Sequence, residues 1–265
     1  MSKLRIAATG LGMLSMLGVA LAPIGASAQG MATNTYEVTI TNLTTKQVLS
    51  PPIIATHASS AHAWQVGQPA SEGVRIVAEE GMNDKLAAEL KGVATDVSIG
   101  TGPLMPGTSV TLMIKAHEGD VLSAATMLVQ TNDGFTGLDN MALSSAGDKE
   151  TMAYDAGTEE NDEKASNVPG PPFGGHNSGL ATNPKQSISM HPGIMGKADI
   201  GSEFNWSGPV ARFSVRMVGA SETPGVSSNM PKTGAGDTNI WLLVLGAGTL
   251  LLSGLTARRF AFAKR

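Results

Sequence analysis

The 265-residue chain carries 18 basic and 22 acidic residues, a net charge of −4, and no cysteine. Six of the basic residues and Asp237 lie in its two ends, so the segment 29–233 holds 12 basic and 21 acidic residues, a net of −9; this argues against a nucleic-acid partner, which needs Lys and Arg to displace counterions, and suits hard cations bound through oxygen. Disulfides, thiol chemistry and Cys-ligated zinc are excluded, so an exported domain must be stabilised by core burial, metal or both.

Residues 1–28 read as a secretory signal peptide: Lys3 and Arg5, an apolar run from Ile6 to Ala22, then the small-x-small pattern Ala26-Ser27-Ala28. An uncleaved anchor is disfavoured because Gly10, Gly12, Gly18 and Pro23 interrupt the run. The mature chain is expected to begin near Gln29, with one domain over 29–218. Tyr36 to Asn42 alternates apolar and polar, β-branched residues, the pattern of a half-buried strand. Val48 to His57 predicts a second strand that lies at an edge or begins after Pro51-Pro52, since two prolines cannot both donate to a ladder. The helical signals fall in Pro69–Glu80, with Ser71 as cap, and Asn83–Lys91, separated by Gly81; these read as a structural connection. Further strands are predicted over Val93–Ile99, Ser109–Lys115, Ala124–Val129 and Val210–Val218, the last with Val210, Phe213, Val215 and Met217 as core candidates. Many short strands with Gly/Pro turns predict an all-β antiparallel sandwich carrying a short helical insertion.

Residues 160–200 hold no predicted element, and a loop of that length is functional or disordered. Residues 219–229 form a polar linker. An apolar run from Ile240 to about Ala257, roughly 18 residues, is just long enough to span a bilayer as a helix. Arg258, Arg259, Lys264 and Arg265 after it place the tail inside and the domain outside, and argue against a buried core helix.

Two acidic clusters follow strand-like segments: Gln130-Thr131-Asn132-Asp133-Gly134 and Asp155-Ala156-Gly157-Thr158-Glu159. Loops at one end of a sandwich can gather the six to eight oxygens that calcium prefers, but acidic loop residues are commonly just solvated. The five histidines show no i, i+4 helical pair, and neither a G-x-S-x-G elbow nor a P-loop is present, so nothing marks an enzyme. His57 and His62 could face each other across a loop, although ordinary hydrogen-bonded histidines are the simpler reading.

Tyr36-Glu37-Val38-Thr39-Ile40-Thr41-Asn42-Leu43-Thr44, with Leu49-Ser50-Pro51-Pro52, Ala55-Thr56-His57 and Gly67-Gln68-Pro69-Ala70-Ser71, resembles the opening of the spondin N-terminal domain. Met127-Leu128-Val129-Gln130-Thr131-Asn132-Asp133 with Gly137-Leu138 is similar to that family's M-x-x-P-S-x-D-W-x-x-G segment, and Asp155-Ala156-Gly157-Thr158-Glu159 to its D-A-G-T-D/E loop. The resemblance implies a β-sandwich related to membrane-binding C2 domains, one calcium ion, and Asp133, Asp155 and Glu159 as its carboxylate ligands. The chain departs from the pattern where Gly134 replaces an aromatic, where Ala153-Tyr154 replaces Pro-Trp, and in lacking the animal cysteines.

Residues 230–265 resemble a cell-wall sorting signal: Met230-Pro231-Lys232-Thr233-Gly234, the apolar run, then the basic tail. The usual motif starts with Leu, and Met is close to it in size and apolarity. Such a signal implies a sortase as processing enzyme, with cleavage between Thr233 and Gly234; the alternative is a linker before an ordinary membrane helix. The sequence therefore leads to an exported, surface-anchored, non-enzymatic, calcium-binding adhesion module for an extracellular protein, glycan or matrix ligand. The alternatives are a calcium-dependent C2-like lipid- or glycan-binding module and an envelope hydrolase using the 160–200 loop.

Overall fold

The computed structural model describes residues 32–175 and 186–220. The expected signal peptide, most of the linker, the sorting motif with Thr233 and Gly234, and the C-terminal apolar run lie outside the described residues. Among the described residues no helix is long and apolar enough to cross a membrane.

The alternating segment around Tyr36 forms β1 (Thr33–Asn42), burying Tyr36, Val38 and Ile40 on one face. β2 (Ile53–His57) begins after the two prolines and is buried along its whole length. Ser71 accepts a hydrogen bond from Val74 N–H and caps α1 (Glu72–Glu80); Gly81, left-handed at φ 67°, ends it. A short α2 (Asp84–Leu90) follows. Then come β3 (Ala94–Ile99), β4 (Ser109–His117), β5 (Val121–Met127), β6 (Gly134–Ala142), β7 (Asp148–Thr151), the two-residue β8 (Tyr154–Asp155) and β9 (Ser189–Met190), and β10 (Ala211–Ala220).

The strands make two sheets with antiparallel pairing throughout, of order β4-β1-β10-β7 and β3-β2-β5-β6-β8-β9. Their facing sides share one core: Val38 and Ile40 of β1, Ile114 of β4, and Phe213 and Val215 of β10 meet Ile54 of β2, Leu122 of β5 and Leu138 of β6. This is the sandwich expected from the strand pattern. A second core lies on the outer face of the six-stranded sheet. There Ile53 and Ala55 of β2, Ala125 of β5 and Phe135 of β6 pack against Val74, Val77, Ala78, Leu86 and Leu90 of the two helices. β2 and β5 are thus covered on both faces, which explains their unbroken burial.

β2 takes the second of the two placements expected for it: it begins after Pro51-Pro52 and runs as an interior strand between β3 and β5, its prolines tolerated because pairing starts at Ile53. Two expectations need correction. Met217 is 55% exposed and not in the core, since β10 beyond Val215 runs past the sheet-to-sheet interface. The segment after Asp133 is a strand, β6, although Gly134, Gly137, Asp139 and Asn140 are poor strand formers. Gly137 is required there: a Cβ would lie 1.8 Å from the Ala124 carbonyl oxygen on β5. The absence of a Cβ at Gly137 is what lets the two strands approach there.

Candidate metal centre

The two acidic clusters come together at the β6–β8 end of the six-stranded sheet. Gly134 pairs with Asp155 and Phe135 with Tyr154, and Ala156 N–H donates to the Asp133 carbonyl at 3.1 Å. Phe135, Tyr154 and Trp64 form an aromatic cluster beneath this junction, with Trp64 5.0 Å from Phe135 and 4.9 Å from Tyr154. Trp64 Nε1 donates to the Ala124 carbonyl, which fixes the indole. Tyr154 thereby has a packing role of its own. Gly134 has no room for a side chain, because a Cβ would lie 2.5 Å from Thr131 Oγ1 and 3.1 Å from His191 Cδ2. Gly157, at φ 70°, faces the Gln186 carbonyl, which a Cβ would approach to 2.6 Å, so the Asp155–Glu159 turn also demands glycine.

Asp133 is fully buried. Its Oδ2 accepts from Thr158 N–H at 2.8 Å, Glu159 N–H at 3.0 Å and Thr158 Oγ1 at 3.2 Å. Its Oδ1 is buried with no hydrogen-bond partner among the described residues. Asp155, half-buried, accepts from Gly157 N–H at 2.7 Å and from Asn161 Nδ2. Glu159 is 5% exposed. The three residues singled out in the sequence are therefore neighbours: Asp133 directly before β6, Asp155 on β8 opposite Gly134, and Glu159 bound through its backbone to the Asp133 carboxyl. Among the described residues no three His, Asp or Glu side chains converge as a ready-made metal cage.

Burial and neighbouring negative charge dominate the electrostatics at Asp133 and Glu159. Burial, then the charge of Asp155, pushes the Asp133 carboxyl up to about 7, against the lowering effect of its donors at Glu159 and Thr158. Burial, then Glu79, Asp133 and Asp162, pushes Glu159 up to about 8. Asp162 behaves differently. Burial acts to raise it, but donors from Lys164, Asn132 and Asn167 outweigh that and hold it below the ordinary carboxylate range. His191 is driven down to about 4 by burial, although Asp155 and Glu163 pull the other way. Its Nδ1 accepts from Gly193 N–H at 3.0 Å, so the neutral ring carries its proton on Nε2.

Two contributors escape sequence reading. Glu79, fully buried on α1 and paired with Arg75, adds its field to Glu159; a glutamate within a helix read as a connection gives no signal of this. Asn132 is the other: it donates to Asp162 Oδ1 at 3.1 Å and accepts from Glu163 N–H at 3.3 Å, tying the 130–134 loop to the 160–200 segment. Glu163 in turn receives Met195 and Lys197 N–H, each at 2.5 Å, so the described part of that segment is tied down by its acidic residues. His57 and His62 each have an ordinary hydrogen-bond partner. His57 bonds Ser123 Oγ at 2.9 Å, and His62 bonds Asp139 at 3.0 Å, so the two do not face each other.

The donor set fits a hard divalent cation. It is made of oxygens, it holds a buried carboxylate oxygen with no partner among the described residues, and burial together with neighbouring negative charge raises the carboxyls of Asp133 and Glu159.

No curated protein matches the chain. The family model described as Spondin_N matches residues 35–172, which runs from β1 through β8 and takes in both acidic clusters. The match covers just over half of the 265 residues, and with the paired sheets and the Asp133–Asp155 junction now in view, the chain belongs to the Spondin_N family.

Proposed function

We propose that this chain is an exported, surface-held binding module without catalytic activity, in which Asp133, Asp155 and Glu159 hold a calcium ion. Family membership supports the extracellular binding role. The observation that carries the calcium reading is Asp133: a fully buried carboxyl with one oxygen held by three donors and the other without a partner among the described residues, beside two more carboxyls. A bound calcium ion supplies the positive charge this cluster lacks. Asp133 and Asp155 belong to the sheet end, and Glu159 to the turn that follows, so ionised side chains at all three positions would tie the turn to the sheet.

Ligand that binds only the folded state stabilises by mass action, about 2.7 kcal/mol at a hundred times its Kd. For a domain of this size that raises Tm by about 5–10 °C. Melting of residues 29–229 is measured with calcium and with chelator. No shift at about 1 mM calcium, a concentration matched to extracellular calcium modules, overturns the reading. The triple variant Asp133→Asn, Asp155→Asn, Glu159→Gln removes any shift seen.

The C-terminal residues support the reading of surface attachment. The Met230-Pro231-Lys232-Thr233-Gly234 motif, apolar run and basic tail support sortase cleavage after Thr233, leaving the domain outside. Mass spectrometry of the mature C-terminus tests this: a chain that keeps residues 234–265 is membrane-anchored instead.

A further inference from the structure

A cavity of about 380 Å³ opens beside Trp206, lined by Thr44, Thr45, Asn205, Ser207 and Pro209 among others and by none of the acidic junction residues. Its size is that of a small-molecule site. The wall combines one flat aromatic ring with short neutral polar side chains and carries no charged residue. That combination suits a ligand with an apolar C–H face and a rim of hydroxyls. We infer that this cavity is a subsite for a neutral pyranose sugar, with Trp206 as the stacking platform; the inference rests on the reading of the domain as an extracellular binding module, and not on calcium.

The platform is rigid. Trp206 packs against the inter-sheet core and against the small cluster of Val168, Ile194 and Ile200, and the His191 ring stands 5.1 Å from it at 57°. The rim is equally fixed. The Thr44 hydroxyl has two acceptors in reach for its one proton, Asn42 Oδ1 at 2.8 Å and the Gln47 carbonyl at 2.7 Å, and Gln47 Nε2 donates to the Phe204 carbonyl at 2.8 Å. These bonds tie the 42–47 loop to the segment that carries Trp206. Asn205 Oδ1 accepts from Ile194 N–H at 3.0 Å, which turns the amide and leaves Nδ2 as a donor without a partner among the described residues. The exposed hydroxyls of Thr45 and Ser207 likewise have no partner among the described residues. A preformed ring with free neutral donors and acceptors around it needs little ordering when a sugar binds. The absence of charge in the wall selects a neutral sugar over an anionic one.

The test uses saturation-transfer NMR on the full chain with four probes: the methyl glycosides of glucose, galactose, mannose and N-acetylglucosamine, each at about 20 mM, a range suited to millimolar affinity. Transfer is expected to the ring C–H protons of at least one glycoside. Thr45→Ala with Ser207→Ala changes two exposed residues and is expected to weaken binding about fivefold or more, the effect of losing two neutral hydrogen bonds. Trp206→Ala is expected to abolish it, and the surface double variant keeps the test decisive if that protein does not fold. No transfer to any of the four probes, or unchanged affinity in the double variant, overturns the inference. Melting with calcium and with chelator is read on the same samples. Loss of sugar binding with the calcium shift intact rejects only the sugar site, and sugar binding without a calcium shift rejects only the metal reading.

Discussion

Replacing Asp133 by Asn tests the electrostatic account of the metal centre directly. The carboxyl is raised from its ordinary 3.8 to about 7 in the folded protein, first by burial and then by Asp155. A raised folded-state pKa means that, between these values, the calcium-free folded protein binds more protons than the unfolded chain. The Asp133 contribution to stability is therefore fully present below about pH 4 and is lost as pH rises through about 7, while His191, driven down to about 4, acts in the opposite sense below its ordinary 6.5. The shift in Asp133 alone corresponds to about 4 kcal/mol lost by pH 8. Glu159, raised from 4.5 to about 8, acts in the same sense. Asn keeps the oxygen that receives Thr158 and Glu159 N–H, and it places a neutral donor where Oδ1 now has no partner among the described residues. In chelator at pH 8, Asp133→Asn is thus expected to be more stable than the parent by about 1–4 kcal/mol, the upper bound being the full ionisation cost. With saturating calcium the order reverses, because the parent gains the binding energy and the variant does not. Urea unfolding followed by tryptophan fluorescence at pH 5 and pH 8, with calcium and with chelator, measures all four cases. If the chelated parent is equally stable at both pH values, or if Asp133→Asn is the weaker protein at pH 8 in chelator, the three donors already hold Asp133 ionised and the case for a missing cation fails.

Gly137→Ala is expected to cost about 3 kcal/mol or more in denaturant unfolding, the range of severe core defects, since the new methyl would collide with the Ala124 carbonyl on the neighbouring strand. Ser71→Ala removes the side-chain acceptor for Val74 N–H and a donor to Glu89, and is expected to cost about 1 kcal/mol, also read by urea unfolding. Phe135→Ala empties the centre of the aromatic cluster beneath the acidic junction. It is expected to lose about 3–5 kcal/mol and to flatten the near-ultraviolet circular dichroism that Trp64 and Tyr154 contribute; an unchanged aromatic spectrum would contradict the packing described.

Local chemistry made part of this protein legible from its residues. The alternation of Tyr36, Val38 and Ile40 set β1, Ser71 and Gly81 bounded α1, and Pro51-Pro52 delayed β2 until Ile53, because each acts through its own backbone or its immediate neighbours. The D-A-G-T-E turn was recognisable by its resemblance to the family's loop, and Gly157 adopts a positive φ within it. What the tertiary structure alone decided depends on residues far apart in the chain. β6 exists because β5 accepts a glycine-bearing partner across the sheet, not because its own residues favour a strand. Met217 points to solvent because the sandwich interface ends at Val215. Glu79 enters the acidic cluster from a helix about fifty residues before Asp133 only when that helix lies on the sheet's outer face, a long-range burial that spacing along the chain cannot encode.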